Sequence, residues 1–151
     1  MVEIHASSYL SEGAIDPEAM RQLLVNPHAG GFVSFEGWVR NHNEGREVKA
    51  LEYEIYTRMA EKEIQRILVE ARERFAIDDC HAVHRYGFLE IGEMAVWVGA
   101  VAAHRNEAFQ ACQYIIDEIK VRAPVWKKEH YVDGDTQWVA CHRCTSHHSQ
   151  K

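Results

Sequence analysis

The densest chemistry in the sequence lies in Asp117-Glu-Ile-Lys-Val-Arg-Ala-Pro-Val-Trp-Lys-Lys-Glu129, which gathers Lys120, Arg122, Lys127 and Lys128 around Pro124 and Trp126. Cations clustered at a helix end suit an anionic substrate, and a lysine partly removed from water can give or take a proton near neutral pH. Lys120 falls one step beyond Ile116 and Ile119 of a helical pattern, so its stem is expected to run along apolar surface. Desolvation and neighbouring cations would both favour the neutral amine, which suits proton transfer or attack on an acyl group. A snorkelling surface lysine has the same spacing, and Lys127 is open to the same alternative.

A second candidate is His104-Arg105, placed where a strand hands over to a helix, just before a predicted N-cap at Asn106. Free backbone N–H groups at such a point favour anions. Arg105 adds a fork of donors suited to phosphate, and His104 can donate a hydrogen bond or a proton. A solvated turn, with Arg105 paired to a carboxylate, is the competing possibility. Arg40-Asn-His-Asn43 forms a polar island directly after a β segment, where a rigid scaffold can hold binding groups or asparagines can simply build a turn. His84-Arg85 is similar and is assigned to structure.

Other chemistries find less support. Cys141 and Cys144, with His147 and His148, offer metal ligands, yet they sit at the chain terminus and lack two spaced ligand pairs in a folded framework. Adventitious affinity accounts for them, and no functional metal is expected. No serine elbow, Walker loop or thiol at a helix N-terminus is present in the pattern.

The elements that must position these residues follow from periodicity. At 151 residues, with 46% hydrophobic and 26% charged residues, the chain is sized for one domain with its own core. A net charge of −6 argues against broad nucleic-acid or anionic-membrane binding, so any anion site is local. The start of the chain has no secretory pattern, and the longest apolar run, Met94 to Ala103, is about half a bilayer span. A cytoplasmic protein with reduced cysteines is expected.

Asp16 reads as the N-cap of a short helix with Pro17 at its first position, stopping near Asn26-Pro27. Phe32 to Val39 reads as a β segment, Arg40 to Gly45 as a polar loop, and Val48 to Ile55 as a returning strand. Thr57, as N-cap, to Phe75 predicts a helix with Ala60, Ile64, Ile67, Leu68, Ala71 and Phe75 on its apolar side. Cys80 to Tyr86 and Met94 to Ala103 read as strands joined by a connection from Gly87 to Gly92. A second long helix spans about Asn106 to Val121, with Ala108, Phe109, Cys112, Ile115, Ile116 and Ile119 on its buried stripe, and Pro124 stops it. Two main helices among strands without regular alternation predict an α+β sandwich. The domain is drawn at 1–140, with 141–151 as a C-terminal tail.

Four blocks, Phe35-Glu-Gly-Trp-Val-Arg-Asn-His-Asn43, His84-Arg-Tyr-Gly87, Ala103-His-Arg105 and Asp117 to Glu129, resemble in order and spacing the large, catalytic subunit family of molybdopterin synthase. The resemblance covers roughly residues 30 to 140. It implies an α/β hammerhead-type fold with an antiparallel sheet, and a homodimer of large subunits. A small ubiquitin-like sulfur-carrier subunit would sit at each end of a heterotetramer. It further implies that the carrier's C-terminal thiocarboxylate gives sulfur to cyclic pyranopterin monophosphate, forming the dithiolene of molybdopterin. Lys120 and Lys127 then match catalytic lysines, and Arg40, His104 and Arg105 match anion-binding positions near the dimer contact. No cofactor is expected, since sulfur arrives with the carrier. A tail residue, His142 or Arg143, is a further candidate for a neighbouring site. A non-catalytic phosphate-binding homologue and a metal or redox protein are the alternatives.

Overall fold

A computed structural model of the chain describes residues 9–140. In chain order its elements are β1 (Leu10–Ser11), α1 (Pro17–Leu24), β2 (Gly31–Trp38), β3 (His42–Asn43), β4 (Arg46–Ile55), α2 (Thr57–Arg74), β5 (Asp79–Arg85), β6 (Gly87–Glu90), β7 (Met94–Ala102), α3 (Arg105–Arg122), β8 (Val125–Tyr131) and β9 (Thr136–Ala140). This is an α+β fold, as expected.

Four strands form one sheet in the order β1-β5-β7-β2, with β7 antiparallel to both β5 and β2 and β1 parallel to β5. Residues 95 to 102 of β7 are all buried, because helices cover both faces of the strand. On one face Trp97 and Val101 pack with Leu24 of α1 and Val83 of β5. On the other, Val96, Val98 and Ala100 meet Ile64, Leu68, Ile115 and Ile119 of α2 and α3. Cover on both sides is why the run reads as continuously apolar rather than alternating.

The second sheet is antiparallel in the order β3-β4-β8-β9, with β6 on the other edge of β4. Here several expectations are corrected. Val48 to Ile55 does not return onto the β2 segment: the tight Glu44-Gly45 turn folds the start of β4 onto β3, β4 then pairs with β8 and β6, and β2 is left as the edge strand of the first sheet. The Gly87 to Gly92 connection contains β6, and the segment after Pro124 is a strand whose alternation places Val125, Lys127, Glu129 and Tyr131 on one face. The polar loop contains β3, turned into β4 at Glu44-Gly45. Both residues have positive φ, 51° and 81°, as a tight two-residue hairpin turn requires.

Both long helices begin earlier than their predicted caps. Tyr56 rather than Thr57 caps α2, and His104 rather than Asn106 caps α3; neither side chain makes a capping bond. Asp16 does cap α1, accepting from the Glu18 and Ala19 amides at 3.1 and 3.4 Å. The predicted buried stripe of α2 holds for Ala60, Ile64, Ile67, Leu68 and Ala71. Each large aliphatic side chain so buried stabilises the fold by about 1.5–3 kcal/mol. On α3, Phe109 is 60% exposed and Ala111 takes its place in the core. Arg122 ties the helices together, donating to Glu63 and Glu70 of α2 and to Glu118 of its own helix at 2.7 to 3.1 Å.

Candidate active site

Pro124 sets the geometry at the lysine end. The residue before a proline is pushed out of helical conformation, and Ala123 takes φ −75° and ψ 133° as the C-cap of α3. The chain turns directly into β8. Lys120 therefore stands in the last turn of α3, exposed on the single chain, while Lys127 enters the sheet opposite Tyr53 of β4. The apolar burial expected for the Lys120 amine is not supplied by this chain alone.

Lys127 is only 16% exposed, and its Nζ lies 3.4 Å from Oε2 of Glu129. Glu129 is 1% exposed and is the hub of the cluster. Its Oε2 accepts from the Asn43 amide at 2.7 Å and its Oε1 from the Tyr131 hydroxyl at 2.5 Å. Asn43 in turn accepts from the Arg40 guanidinium at 3.3 Å. Arg46 lies over the Tyr131 ring, 3.6 Å from its centroid. Burial first, then the hydrogen bond and charge of Glu129, push the Tyr131 phenol up to about 12. Two sequence-predicted residues, Arg40 and Lys127, are thus joined through Asn43 and Glu129, neither of which was singled out for chemistry. Strand alternation across residues 125 to 131 was the signal for Glu129 and Tyr131.

The anion pair stands elsewhere. His104 and Arg105 are exposed at the start of α3, above the first residues of β2. A Cβ on Gly30 would lie 2.6 Å from the Ala103 carbonyl oxygen, and one on Gly31 would lie 3.1 Å from Cα of Arg105. The glycine pair is what lets β2 pass so close beneath the helix start. At 1.5 Å per residue, His104 and Lys120 are roughly 24 Å apart along one helix axis. A single chain therefore brings Arg40 and Lys127 together but leaves His104 and Arg105 a helix length from Lys120. Between these ends runs an open groove of about 980 Å³, lined by Val33, Phe35, Phe109, Ile116, Lys120 and Val121.

Thiol chemistry has no foothold in the described fold. Cys80 and Cys112 are buried, and burial pushes both thiols up to about 11. Cys141, Cys144, His147, His148 and the candidates His142 and Arg143 lie outside the described residues. His84-Arg85 is structural at its arginine: Arg85 donates to Glu93 at 3.1 Å and to the Glu12 carbonyl at 3.2 Å.

The family profile described as MoaE protein matches residues 10–122. A molybdopterin synthase catalytic subunit from Pyrococcus abyssi is 49% identical over 117 residues, 78% of each chain. One from Thermoplasma volcanium is 40% identical over 129 residues, covering 85% of this chain and 94% of its own. The crystal structure of molybdopterin synthase from Staphylococcus aureus superposes with a TM-score of 0.84 at 35% identity, covering 89% of this chain and 97% of the other.

Proposed function

The chain belongs to the MoaE protein family, and from that membership we propose that it is the catalytic subunit of a molybdopterin synthase. It transfers sulfur from the C-terminal thiocarboxylate of a small ubiquitin-like carrier subunit to cyclic pyranopterin monophosphate, building the dithiolene in two additions. The observation that carries this is the cation arrangement: Lys127 held on a buried carboxylate that also anchors Asn43 and Arg40, beside a helix end presenting Lys120. Such an array suits a phosphate-bearing substrate and a developing acyl oxyanion, and it asks no sulfur chemistry of the protein's own thiols.

Arg40, His104 and Arg105 hold the cyclic phosphate, or the phosphate freed as its ring opens. The thiocarboxylate sulfur bonds to a side-chain carbon of the pterin as a C–O bond at that carbon breaks, its oxygen leaving with the phosphate when the ring opens or as water, and the carrier stays joined as a thioester. Water then attacks the acyl carbon, and the carrier leaves as a carboxylate while sulfur stays with the product. Lys120 manages protons and charge around the thiocarboxylate and the tetrahedral acyl species, and Lys127 orients the pterin.

Because α3 separates Lys120 from His104 by roughly 24 Å, one pterin cannot touch both in the same chain. The functional unit is a homodimer in which each site takes its lysines from one copy and His104-Arg105 from the other, with the carrier completing a heterotetramer. The exposed Phe35, Phe109 and Val121 along the groove supply apolar surface for such assembly. No cofactor is required.

A single-turnover assay tests the function: thiocarboxylated carrier and cyclic pyranopterin monophosphate are mixed with the protein, and dithiolene product is followed by mass. Wild type is expected to form product and Lys120→Ala to form none. No product from a folded dimer with confirmed carrier binding would overturn the synthase function and favour a phosphate-ligand binding protein.

A further inference from the structure

The Arg40 side chain is held by an amide rather than by a carboxylate, and the hydrogen bonds around that amide fix which way it points. Asn43 stands at the end of β3, opposite Arg46 of β4 across the hairpin. Its Nδ2 donates to Oε2 of the buried Glu129 at 2.7 Å, and its Oδ1 accepts from Nη2 of Arg40 at 3.3 Å. The two ends cannot be exchanged, because an ionised carboxylate only accepts and a guanidinium only donates. Glu129 is itself fixed by the Tyr131 hydroxyl and by Lys127. The Arg40 backbone is fixed from the other side, since the Val39 amide donates to the Glu93 carbonyl at 3.0 Å and the Val39 carbonyl accepts from the Gly92 amide at 2.8 Å.

What the amide does to the charge of Arg40 sets this position apart. Arg46, Arg85 and Arg122 each pair with a carboxylate, at 2.9, 3.1 and 2.7 Å, and their charge is neutralised within the fold. Arg40 is exposed, and among the described residues no carboxylate lies within ion-pairing distance of it. The Glu129 carboxylate reaches Arg40 only through the Asn43 amide, and its own charge faces Lys127. A neutral acceptor orients a guanidinium without a counter-charge, so the remaining donors of the fork stay available to a phosphate. An aspartate would fill the same volume and do the opposite, pairing with Arg40 and repelling Glu129.

We propose that Asn43 is a positioning residue for Arg40, aiming the guanidinium at the substrate phosphate while leaving its charge uncompensated. The inference rests on the sulfur-transfer function proposed above. Two substitutions separate it from a packing role. Asn43→Asp keeps the volume but sets a carboxylate against Arg40, whereas Asn43→Ala removes the tether and leaves Arg40 charged. In single turnover with thiocarboxylated carrier, Asn43→Asp should raise the concentration of cyclic pyranopterin monophosphate for half-maximal rate at least about tenfold and Asn43→Ala about threefold, with limiting rates within about threefold of wild type. Packing alone predicts the reverse order, because aspartate replaces asparagine atom for atom.

Melting curves establish that the variants fold. Modification of Arg40 by phenylglyoxal, read by peptide mass, gives a second measurement that needs no turnover. The reagent attacks the neutral guanidine, which a carboxylate partner disfavours, so Arg40 should react at least about threefold slower than wild type in Asn43→Asp and at least about twofold faster in Asn43→Ala. If Asn43→Asp does not fold, Asn43→Ala decides alone, by the raised half-maximal concentration and the faster labelling. Asn43→Asp matching wild type, Asn43→Ala the weaker binder of the two, or Arg40 labelling unmoved by substitution would overturn the proposal. Absence of product from wild type would instead count against the sulfur-transfer function, with the labelling order still deciding the role of Asn43.

Discussion

Glu129 should be worth more to this protein than any lysine it serves. Truncation to alanine removes the acceptor for the Asn43 amide at 2.7 Å and for the Tyr131 hydroxyl at 2.5 Å, and takes the carboxylate away from Lys127 at 3.4 Å. Each buried donor left without a partner costs about 1–3 kcal/mol. Tyr131 is 4% exposed and keeps only a long contact to Gln137 Oε1 at 3.5 Å, so it bears most of that cost, whereas Asn43 is half-buried and recovers part of it from water. The expected loss is about 2–4 kcal/mol, a large fraction of a typical domain's stability and roughly 4–16 °C in melting temperature. Glu129→Gln keeps the shape and one acceptor, so it should lose less stability while still displacing Lys127 and, through Asn43, Arg40. Chemical and thermal denaturation measure the first effect, and the substrate concentration dependence of single-turnover rates measures the second. Tyr131 adds an independent readout. Its phenol is raised from 10 to about 12 by burial and then by Glu129, so its contribution to stability is present below pH 10 and lost as pH rises through 12. In Glu129→Gln the tyrosinate transition, followed by ultraviolet absorbance, should move down toward 10 and the alkaline loss of stability should shrink. An alanine variant that melts with wild type, with its tyrosine titration unmoved, would refute the hub.

Replacing Arg122 with Met should uncouple α2 from α3. Glu70 is held down at about 2 by its hydrogen bonds to Arg122 and then to Tyr114, so its contribution is present above pH 4.5 and lost as pH falls through 2. Acid unfolding profiles should therefore flatten across that window in Arg122→Met, and an unchanged profile would contradict the clamp. Gly30→Ala places a Cβ 2.6 Å from the Ala103 carbonyl oxygen, so the turn before His104 must shift. A loss of about 1–3 kcal/mol and weaker binding of a phosphate-bearing substrate analogue are expected by denaturation and calorimetry. Lys120→Ala, at an exposed position, should change stability by no more than about 0.5 kcal/mol while abolishing turnover, and a large drop in melting temperature would assign Lys120 to structure instead. Cys112→Ser should leave sulfur transfer intact, and loss of product without loss of stability would contradict delivery of sulfur by the carrier.

Much of the fold was readable because its signals are local. The α2 stripe from Ala60 to Ala71 and the Asp16-Pro17 start of α1 follow from spacing and capping chemistry. Sheet membership was not readable, because a strand's partner can lie far along the chain: β2 pairs with β7 and β4 with β8, neither of them its neighbour in sequence. Phe109 read as core because its spacing fits the stripe, yet it faces the open groove that a second copy would cover. In the site, charge and motif pointed to Lys120, Lys127, Arg40, His104 and Arg105. The groups that hold some of these in place were harder to find. Glu129 and Asn43 are 86 residues apart and meet only through the β3–β4 hairpin and β8. Sequence patterns carry which residues can do chemistry far better than they carry which residues are brought together.

Sharing of one site by two copies is tested most directly by complementation. Lys120→Ala and Arg105→Ala chains are co-expressed with different affinity tags, carried through both purifications, and assayed for dithiolene formation against either variant alone. Each mixed dimer has one intact site, Lys120 from one copy with Arg105 from the other, so purified mixed dimers should recover about half of wild-type turnover while each parent stays inactive. Mixed dimers as inactive as their parents would place Lys120 and Arg105 in the same chain's site and contradict the two-copy assembly.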